Sequence, residues 1–282
     1  MNPSPLIESP APPKKASAPN REPTNRSRIS PASVLLPLTV AAIFLVVWDL
    51  AVRLTGTNLF PTPLEVAAGI GELVRKGLLL KYIAASLFRI TWGFLLAVAV
   101  GIPFGLVLGW FRPARQAFNP MIQVFRPISP IAWIPVAIIW FGVTDAAPVF
   151  LIFLASVFPI TVSAMAAVRN VQPVYLRAAQ NFGLSGFQLF RRVILPATLP
   201  QIITGLRIAL GIAWLVVVAA EMIAANSGLG YLIIDARNAG KRYDLVVAGM
   251  VLIGIIGWLL DVLMRQVEHL PSVSWGYGSG HD

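Results

Sequence analysis

The chain has 282 residues, of which 57% are apolar and only 12% are charged. Soluble globular domains carry about 25% charged residues, so these charges are too few to cover a soluble body, and the composition indicates a membrane protein. The absence of cysteine excludes thiol catalysis, disulfides and thiolate metal sites, and the net charge of +10 fits basic loops against anionic lipid headgroups better than a nucleic-acid partner.

The N-terminal segment, residues 1–30, is rich in proline, serine and asparagine and contains no apolar run. Its basic residues are Lys14, Lys15, Arg21, Arg26 and Arg28. A segment of this composition buries too little apolar surface to fold, so we predict a disordered tail. We do not expect a cleaved signal peptide, because the basic stretch is long and the apolar run that follows it is long enough to span a bilayer.

Six apolar segments follow, each close to the length of about 20 residues that a helix needs to cross a bilayer. They are residues 33–53, 90–111, 127–144, 146–168, 202–224 and 245–264. We therefore predict an all-α membrane protein with six transmembrane helices in a domain over residues 31–265, followed by a tail over 266–282. Between the first two spans, residues 62–89 mix charged and apolar residues at helical spacing, which predicts amphipathic helices at the membrane interface.

The distribution of lysine and arginine predicts the orientation. These residues are more frequent in the segments that lie inside when the N-terminus is cytoplasmic than in the segments that then lie outside. Cytoplasmic loops of membrane proteins carry such an excess. Because the number of spans is even, the sequence predicts that both termini are cytoplasmic.

Small residues follow one face of the second span, where Gly101, Gly105 and Gly109 recur every four positions. Helices in a bilayer approach one another closely where side chains are small. We therefore expect this face to pack against another helix.

The third span is dense in proline. Proline lacks the backbone N–H of a regular helix and clashes with the preceding turn, and irregular backbone at membrane depth is tolerated only where it is buried in protein or lines a cavity. We expect the first part of this span to be irregular, because it carries Pro127, Pro130 and Pro135.

Residues 169–200, called the 169–200 hairpin below, are too long for a simple connector, since helices in bundles are usually joined by about 2–8 residues. Pro173 stands where a first helical residue would stand, and Gly183 where a C-terminal cap would. Ser185 begins a capping-box pattern for a second short helix, and Pro196 marks the expected end of that helix. Such a hairpin outside lipid indicates a surface for a soluble partner; the alternative is an amphipathic hairpin on the lipid surface.

Charged residues at membrane depth are candidates for function. Burying one costs at least about 2.5–3.5 kcal/mol, so each needs a partner or water. Glu221, near the outer end of the fifth span, is either a gate or a contact for the docking surface of a binding protein, or it forms a structural ion pair or hydrogen bond between helices. Arg207 either attracts an anionic substrate along its path or extends its side chain to the inner interface. The other such residues are Asp49 and Asp261, and an outer basic cluster comprises Arg237, Lys241 and Arg242.

Two sets of residues resemble the permeases of ABC importers. The string Arg177-Ala178-Ala179, with Gly183 four residues on and Val193-Ile194-Leu195-Pro196 later, is similar to their cytoplasmic loop signature, which is Glu-Ala-Ala, three residues, Gly, nine residues and Ile-x-Leu-Pro. Arg177 stands where the signature has glutamate. Residues 126–135, 140–142, 220–223 and 227–231 resemble the third and fifth spans of the nitrate/sulfonate/taurine group of these permeases.

This resemblance implies the type I ABC importer permease fold, with cytoplasmic coupling helices between the fourth and fifth spans. The ATPase-coupling residues that it implies are Arg177, Ala178, Ala179, Gly183, Leu184, Ser185, Leu195 and Pro196. It implies two permease copies as a homodimer, two ABC ATPase subunits docked on the hairpins, and a periplasmic or lipid-anchored solute-binding protein. Such an assembly lies in a bacterial inner membrane and imports a small anion of the nitrate, sulfonate or taurine type.

The chain itself is not expected to be an enzyme, and no catalytic residue, metal site or cofactor is predicted in it. It has no glycine-rich phosphate loop that ends in Lys-Ser or Lys-Thr, so ATP and Mg²⁺ are expected on the separate ATPase. Its two histidines, His269 and His281, lie outside the spans. The competing hypothesis is an ion-coupled secondary transporter with Glu221, Asp49 and Asp261 as a relay, which predicts internal repeats that the sequence does not show.

Overall fold

The computed structural model describes residues 31–56, 60–238 and 240–268. The predicted tail over residues 1–30, both histidines and most of the predicted C-terminal tail lie outside these ranges. Within them the chain forms helices joined by turns and contains no strand. The expected all-α class is therefore confirmed.

The helices of the described residues are α1 (Pro31–Thr55), α2 (Pro63–Arg75), α3 (Leu78–Trp110), α4 (Arg112–Phe125), α5 (Ile134–Phe141), α6 (Ala146–Arg169), α7 (Pro173–Asn181), α8 (Gly186–Leu189), α9 (Leu195–Ala224), α10 (Leu229–Asn238) and α11 (Tyr243–Glu268). A 3₁₀ turn over Pro130–Trp133 leads into α5. A π-helical segment over Phe190–Ile194 joins α8 to α9.

Five helical segments of the described residues are long and apolar enough to cross a membrane. They are Leu35–Thr55, Leu78–Trp110, Ala146–Arg169, Gly186–Ala224 and Tyr243–Glu268. Arg112–Phe125 and Pro130–Phe141 form a pair bent by 83° that passes the same test only when the two helices are taken together. The described residues thus contain five continuous candidate spans, and a sixth where this bent pair is counted as one broken span.

Two of the predicted boundaries are corrected by the structure. The second span begins at Leu78, so it includes the second half of the region 62–89, and only α2 remains as a separate amphipathic helix. The third span was predicted as one segment over 127–144, but its α-helical part is limited to α5. The prolines before α5 remove helical N–H donors, and residues 112–125 before them form the separate helix α4.

The chain divides into two compact units, of which the first ends at Val47 and the second begins at Trp48. In the first unit, the described side chains from Leu35 to Val47 are exposed. In the second unit, α6 packs against both α3 and α9, and α11 packs against α2, α9 and α10. These contacts place α6 and α9 at the core of the second unit.

The glycine face of α3 lies directly against α6. A Cβ atom added to Gly101 would lie 2.9 Å from Ile160 Cγ2, and one added to Gly105 would fall on the carbonyl oxygen of Thr161. Gly109 is equally close to α6. The two backbones therefore approach one another at small residues, as helices in lipid do.

We expect Gly105→Ala to destabilise the protein by about 1–3 kcal/mol, because a backbone oxygen cannot rotate away from the added methyl group. Gly254→Ala is the matched control: it lies in α11, and a Cβ atom there meets nothing within 4 Å. Alanine in a helix interior is favoured over glycine by about 0.5–1 kcal/mol, so the control should be as stable as the original protein or slightly more stable. Thermal unfolding in detergent measures both; equal loss in the two variants would contradict the close approach.

Candidate functional site

The 169–200 hairpin joins the end of α6 to the start of α9. The end of α3 lies beside it, since the ring of Trp110 contacts that of Phe190 at a centroid distance of 5.5 Å. We call this the hairpin end of the second unit, and the opposite end the far end. Each end carries a group of residues with a distinct arrangement.

The first half of the hairpin has the predicted form. Pro173 begins α7, and the helix ends in a Schellman motif. The N–H of Gly183 donates to the carbonyl oxygen of Gln180 at 2.9 Å, and the N–H of Leu184 donates to that of Ala179 at 3.0 Å. Gly183 has φ +77°, a left-handed conformation that costs a residue with a Cβ atom about 1–2 kcal/mol.

The second half differs from its prediction in two ways. The side chain of Ser185 makes no capping hydrogen bond, because Gly186 has φ +52° and turns the start of α8 out of regular helical geometry. Pro196 does not end the helix. The N–H of Leu195 donates to Phe190, five residues earlier, and this wider π turn accommodates a proline that has no donor of its own. The chain from Gly186 to Ala224 is therefore one continuous helical segment.

One face of the hairpin packs against the bundle. Ala179, Leu189 and Ile194 are buried in a cluster with Val168 of α6, and Leu184 packs against it. Ala179, one of the predicted coupling residues, packs within its own chain and anchors the hairpin to the bundle. The predicted coupling residues at the start of α9, Leu195 and Pro196, are half-buried.

The other face of the hairpin is open and apolar. Phe182 is 86% exposed, Phe187 is 75% exposed and Val174 is 65% exposed. The remaining predicted coupling residues are exposed as well, and they are Arg177, Ala178, Gly183 and Ser185. Large apolar side chains this exposed on a polar segment are typical of a protein–protein interaction surface.

At the far end, Arg89 of α3 and Glu221 of α9 form a buried ion pair. Arg89 Nη1 donates to Glu221 Oε1 at 2.7 Å, and the two side chains are 2% and 0% exposed. Glu221 Oε2 accepts from Ser86 Oγ at 2.8 Å and from the N–H of Gly230 at 3.0 Å. Buried charges are tolerated when they are paired and their remaining hydrogen bonds are made, and both conditions hold here.

Arg89 also holds two loops. Its Nε and Nη2 donate to Asp145 Oδ1 at 2.9 and 2.6 Å, in the turn before α6. Its Nη1 and Nη2 donate to the carbonyl oxygen and Oγ of Ser227 at 2.6 and 2.7 Å, after α9. Together with Glu221, these contacts use the five N–H donors of a guanidinium group. One arginine therefore ties α3, α9 and both far-end loops together.

The glycines after α9 make room for this pair. Gly228 has φ +108°, and a Cβ atom there would fall on the carboxylate of Glu221. A Cβ atom on Gly230 would fall on the carbonyl oxygen of Val218. Glycine at these two positions thus lets the loop close over the buried carboxylate.

The structure assigns Glu221 to the ion-pair interpretation, because none of its side-chain surface is exposed. Arg89, Ser86 and Asp145 were not predicted as site residues, and the first two lie in the region 62–89, whose pattern had predicted interfacial helices. The signal that was present is the apolar run of α3, which continues upstream of Arg89 to Leu78 and so places that arginine inside a span.

Arg207 is neutralised by carboxylates of α11. Its Nε and Nη2 donate to Asp261 at 2.7 and 3.1 Å, and its Nη1 donates to Glu268 at 3.2 Å. Arg265 also donates to Asp261, at 3.0 Å. Arg207 therefore joins α9 to α11 and does not present a free positive charge to a substrate.

The carboxylates of the ion-relay hypothesis are not connected to one another. Each forms an ion pair with a different arginine, and the pairs are Asp49 with Arg53, Glu221 with Arg89 and Asp261 with Arg207. Among the described residues, no group of three His, Asp or Glu side chains is arranged to hold a metal ion. Asp49, Glu221 and Asp261 therefore do not form a connected chain of carboxylates that could relay an ion.

In the predicted outer basic cluster, Arg242 forms ion pairs with two acidic residues. Its Nη2 donates to Glu72 of α2 at 2.6 Å and to Asp244 of α11 at 2.7 Å. Glu72 also accepts from Lys76 at 2.6 Å. The hydrogen bond from Arg242 and then that from Lys76 lower the pKa of Glu72 to about 2. Arg242 thus connects α2 to the start of α11.

This lowered pKa predicts an acid-sensitive contact. Glu72 ionises near pH 4.5 in the absence of these partners and near pH 2 with them, so the folded state binds fewer protons and the contact is fully stabilising only above about pH 4.5. Its contribution should fall as the pH drops from about 4.5 to 2, and Glu72→Gln should remove that dependence. Hydrogen exchange of α2 between pH 6 and pH 3 measures it; identical pH profiles for the variant and the original chain would contradict the assignment.

A cavity of about 410 Å³ opens among α6, α9 and the broken span. Its wall is mainly apolar, and its polar side chains are Arg126, Ser163 and Gln201. Neither Glu221 nor Arg207, the two residues predicted for a substrate path, lines it. The cavity lies toward the hairpin end, because Gln201 is near the start of α9.

Comparison with known sequences identifies the family. The chain matches the family model described as "binding-protein-dependent transport system inner membrane component" over residues 101–270. It is 38% identical to the taurine transport system permease protein TauC of Escherichia coli, over 82% of this chain and 86% of that protein. It is 34% identical to the nitrate import permease protein NrtB of Synechocystis sp., over 89% of this chain and 94% of that protein.

Solved structures share the fold. An inward-facing MetNI methionine ABC transporter matches 68% of this chain and 95% of its own chain, with 20% identity and a TM-score of 0.59. A bacterial ABC transporter involved in alginate import matches 84% of this chain and 95% of its own, with 14% identity and a TM-score of 0.59. The type I importer permease fold is confirmed, and none of these matches supports the ion-coupled hypothesis. The chain therefore belongs to the multi-pass inner-membrane permeases of binding-protein-dependent ABC importers, in the nitrate/sulfonate/taurine group.

Proposed function

We propose that this permease forms the membrane path of an ATP-driven importer for a small solute with an anionic nitrate or sulfonate group, the class that includes nitrate, taurine and alkanesulfonates. The relatives named for taurine and nitrate support this class. The cavity near the hairpin end supports it too, since its charged lining residue is the cation Arg126. A positive charge beside hydroxyl and amide groups favours an anion over a cation.

The observation that carries the coupling to ATP is the construction of the 169–200 hairpin. One face is anchored to α6 and the other is open and apolar. Because α8, the π-helical segment and α9 form one continuous segment, a displacement of the hairpin moves α9 as well. α9 in turn packs against α3, α6 and α11, so the motion reaches the whole second unit.

The assembly that we propose has two copies of this chain as a homodimer and two ABC ATPase subunits that bind ATP and Mg²⁺. This chain supplies no cofactor. The hairpin and both termini lie in the cytoplasm, and a periplasmic or lipid-anchored binding protein delivers the substrate at the far end. Closure of the ATPases draws the two hairpins together, and each hairpin tilts its α9.

Two measurements test this assignment. The first is copurification of an ATPase subunit with the detergent-solubilised permease, which we expect at one ATPase for each permease copy. The second is calorimetric titration of the partner binding protein with taurine, small alkanesulfonates, nitrate and bicarbonate. Binding of a neutral sugar or a cation instead of these solutes would overturn the substrate class, and absence of an ATPase would overturn the coupling.

A further inference from the structure

The 169–200 hairpin carries four positive charges and no negative one. Its ionisable residues are Arg169, Arg177, Arg191 and Arg192, all exposed, and none forms an ion pair within the described ranges. The acidic residues nearest to it in the chain are Asp145, at the far end, and Glu221. A protein that docks on the hairpin therefore contacts a surface whose charged groups are all positive.

Arg177 occupies a particular place on this surface. Val174, Arg177, Ala178 and Asn181 follow the helical spacing of three and four residues, and all of them are exposed. The opposite face of α7 is the anchored one, with Ala179 buried. Arg177 thus lies in the middle of the open face, between an apolar residue and a small one.

Docking this face removes water from the guanidinium group of Arg177. A desolvated charge is tolerated only opposite a partner of opposite charge, and a guanidinium group fits a carboxylate through two parallel hydrogen bonds. The signature that the hairpin resembles has glutamate here, a side chain of the opposite charge. The charge at the centre of the docking face is therefore reversed in this chain.

We propose that the hairpin docks into a groove of its ATPase that presents a carboxylate to Arg177, and that this pair makes the permease select its own ATPase over one whose groove is basic at that point. The proposal rests on the function proposed above, because it specifies the partner of the same surface. A complementary charge pair at the centre of an interface contributes more to selectivity than a pair at its rim.

The test measures binding of the purified ATPase to the full-length permease in nanodiscs of neutral lipid. Arg177→Glu should weaken binding at least about thirtyfold, the effect expected for a broken, desolvated charge pair. Arg112→Glu makes the same charge change at an exposed arginine of the hairpin end but outside the hairpin, and it should change the affinity less than about twofold. Replacing the groove carboxylate of the ATPase by lysine should restore binding to the Arg177→Glu permease.

The outcomes separate this proposal from the coupling function. If Arg177→Glu binds the ATPase as the original chain does while Gly183→Pro does not, the acidic groove is wrong and the coupling stands. If both variants bind as the original chain does, the coupling function itself is wrong. If Arg177→Glu weakens binding only in nanodiscs of anionic lipid, the arginine contacts lipid headgroups, and the proposal is overturned.

Discussion

Glu221→Ala should lower the free energy of unfolding by about 3–5 kcal/mol, the cost of leaving one member of a buried ion pair without its partner. The change removes the acceptor for Arg89, for Ser86 and for the N–H of Gly230 together. It also leaves a space beneath the loop after α9. Thermal unfolding of the purified permease in detergent, followed by circular dichroism, measures the loss.

The matched control is Asp49→Asn, which removes a carboxylate from the exposed pair with Arg53. Exposed pairs of this spacing contribute about 0.3–0.5 kcal/mol, so its unfolding temperature should scarcely change. Glu221→Gln should be intermediate, since the amide keeps acceptor capacity but loses the charge. If Glu221→Ala and Asp49→Asn have the same unfolding temperature, the far-end pair is not a structural element.

Gly183→Pro should abolish ATP-driven uptake while the protein still inserts into the membrane. Proline fixes φ near −65°, whereas Gly183 has φ +77°, and its N–H donates to Gln180. The Schellman motif therefore cannot form, and α7 loses its position relative to α8. Uptake and ATPase stimulation in proteoliposomes measure the effect.

Gly183→Asn is the control at the same position, because asparagine adopts the left-handed conformation more readily than other residues with a side chain. A Cβ atom at Gly183 meets nothing within 4 Å, so this variant should keep most of the uptake. Equal loss in the two variants would show that the side chain, and not the turn, is what matters. Normal uptake by Gly183→Pro would remove the hairpin from the mechanism.

The architecture could be predicted from the sequence because its signals are local. Hydropathy over about 20 residues is enough to locate a span, and Pro173 and Gly183 mark the ends of α7 by their own backbone chemistry. The glycine repeat on α3 indicated a packing face, although it did not identify α6 as the neighbour. The hairpin signature indicated the family, because its residues lie close together in the chain and keep a fixed spacing.

The far-end ion pair could not be predicted, because its members are 132 residues apart in the chain. Glu221 was recognised as a costly charge, but its partner depends on how α3 and α9 are rotated toward each other. Arg89 was assigned to an interfacial helix, because its neighbours Lys81 and Arg75 gave the region an amphipathic pattern. In the structure both Lys81 and Arg89 lie within α3, and Arg75 is the last residue of α2.

The helical continuity between α8 and α9 was also not predicted from the sequence, for a different reason. Proline in a helix interior removes a hydrogen bond and kinks or breaks the helix, and Pro196 was therefore expected to separate the hairpin from the span. The π-helical segment before it changes the hydrogen-bond pattern and lets the helix continue. α8 is thus continuous with α9, which the sequence pattern alone did not indicate.

Uptake into proteoliposomes tests the coupling of this permease to ATP most directly. The permease is reconstituted with its ATPase and supplied with substrate-loaded binding protein, and uptake of the radiolabelled anion is measured. We predict uptake with ATP on the ATPase side when ionophores have dissipated every ion gradient, and no uptake without nucleotide under an imposed proton or sodium gradient. Gradient-driven uptake in the absence of nucleotide would contradict the account.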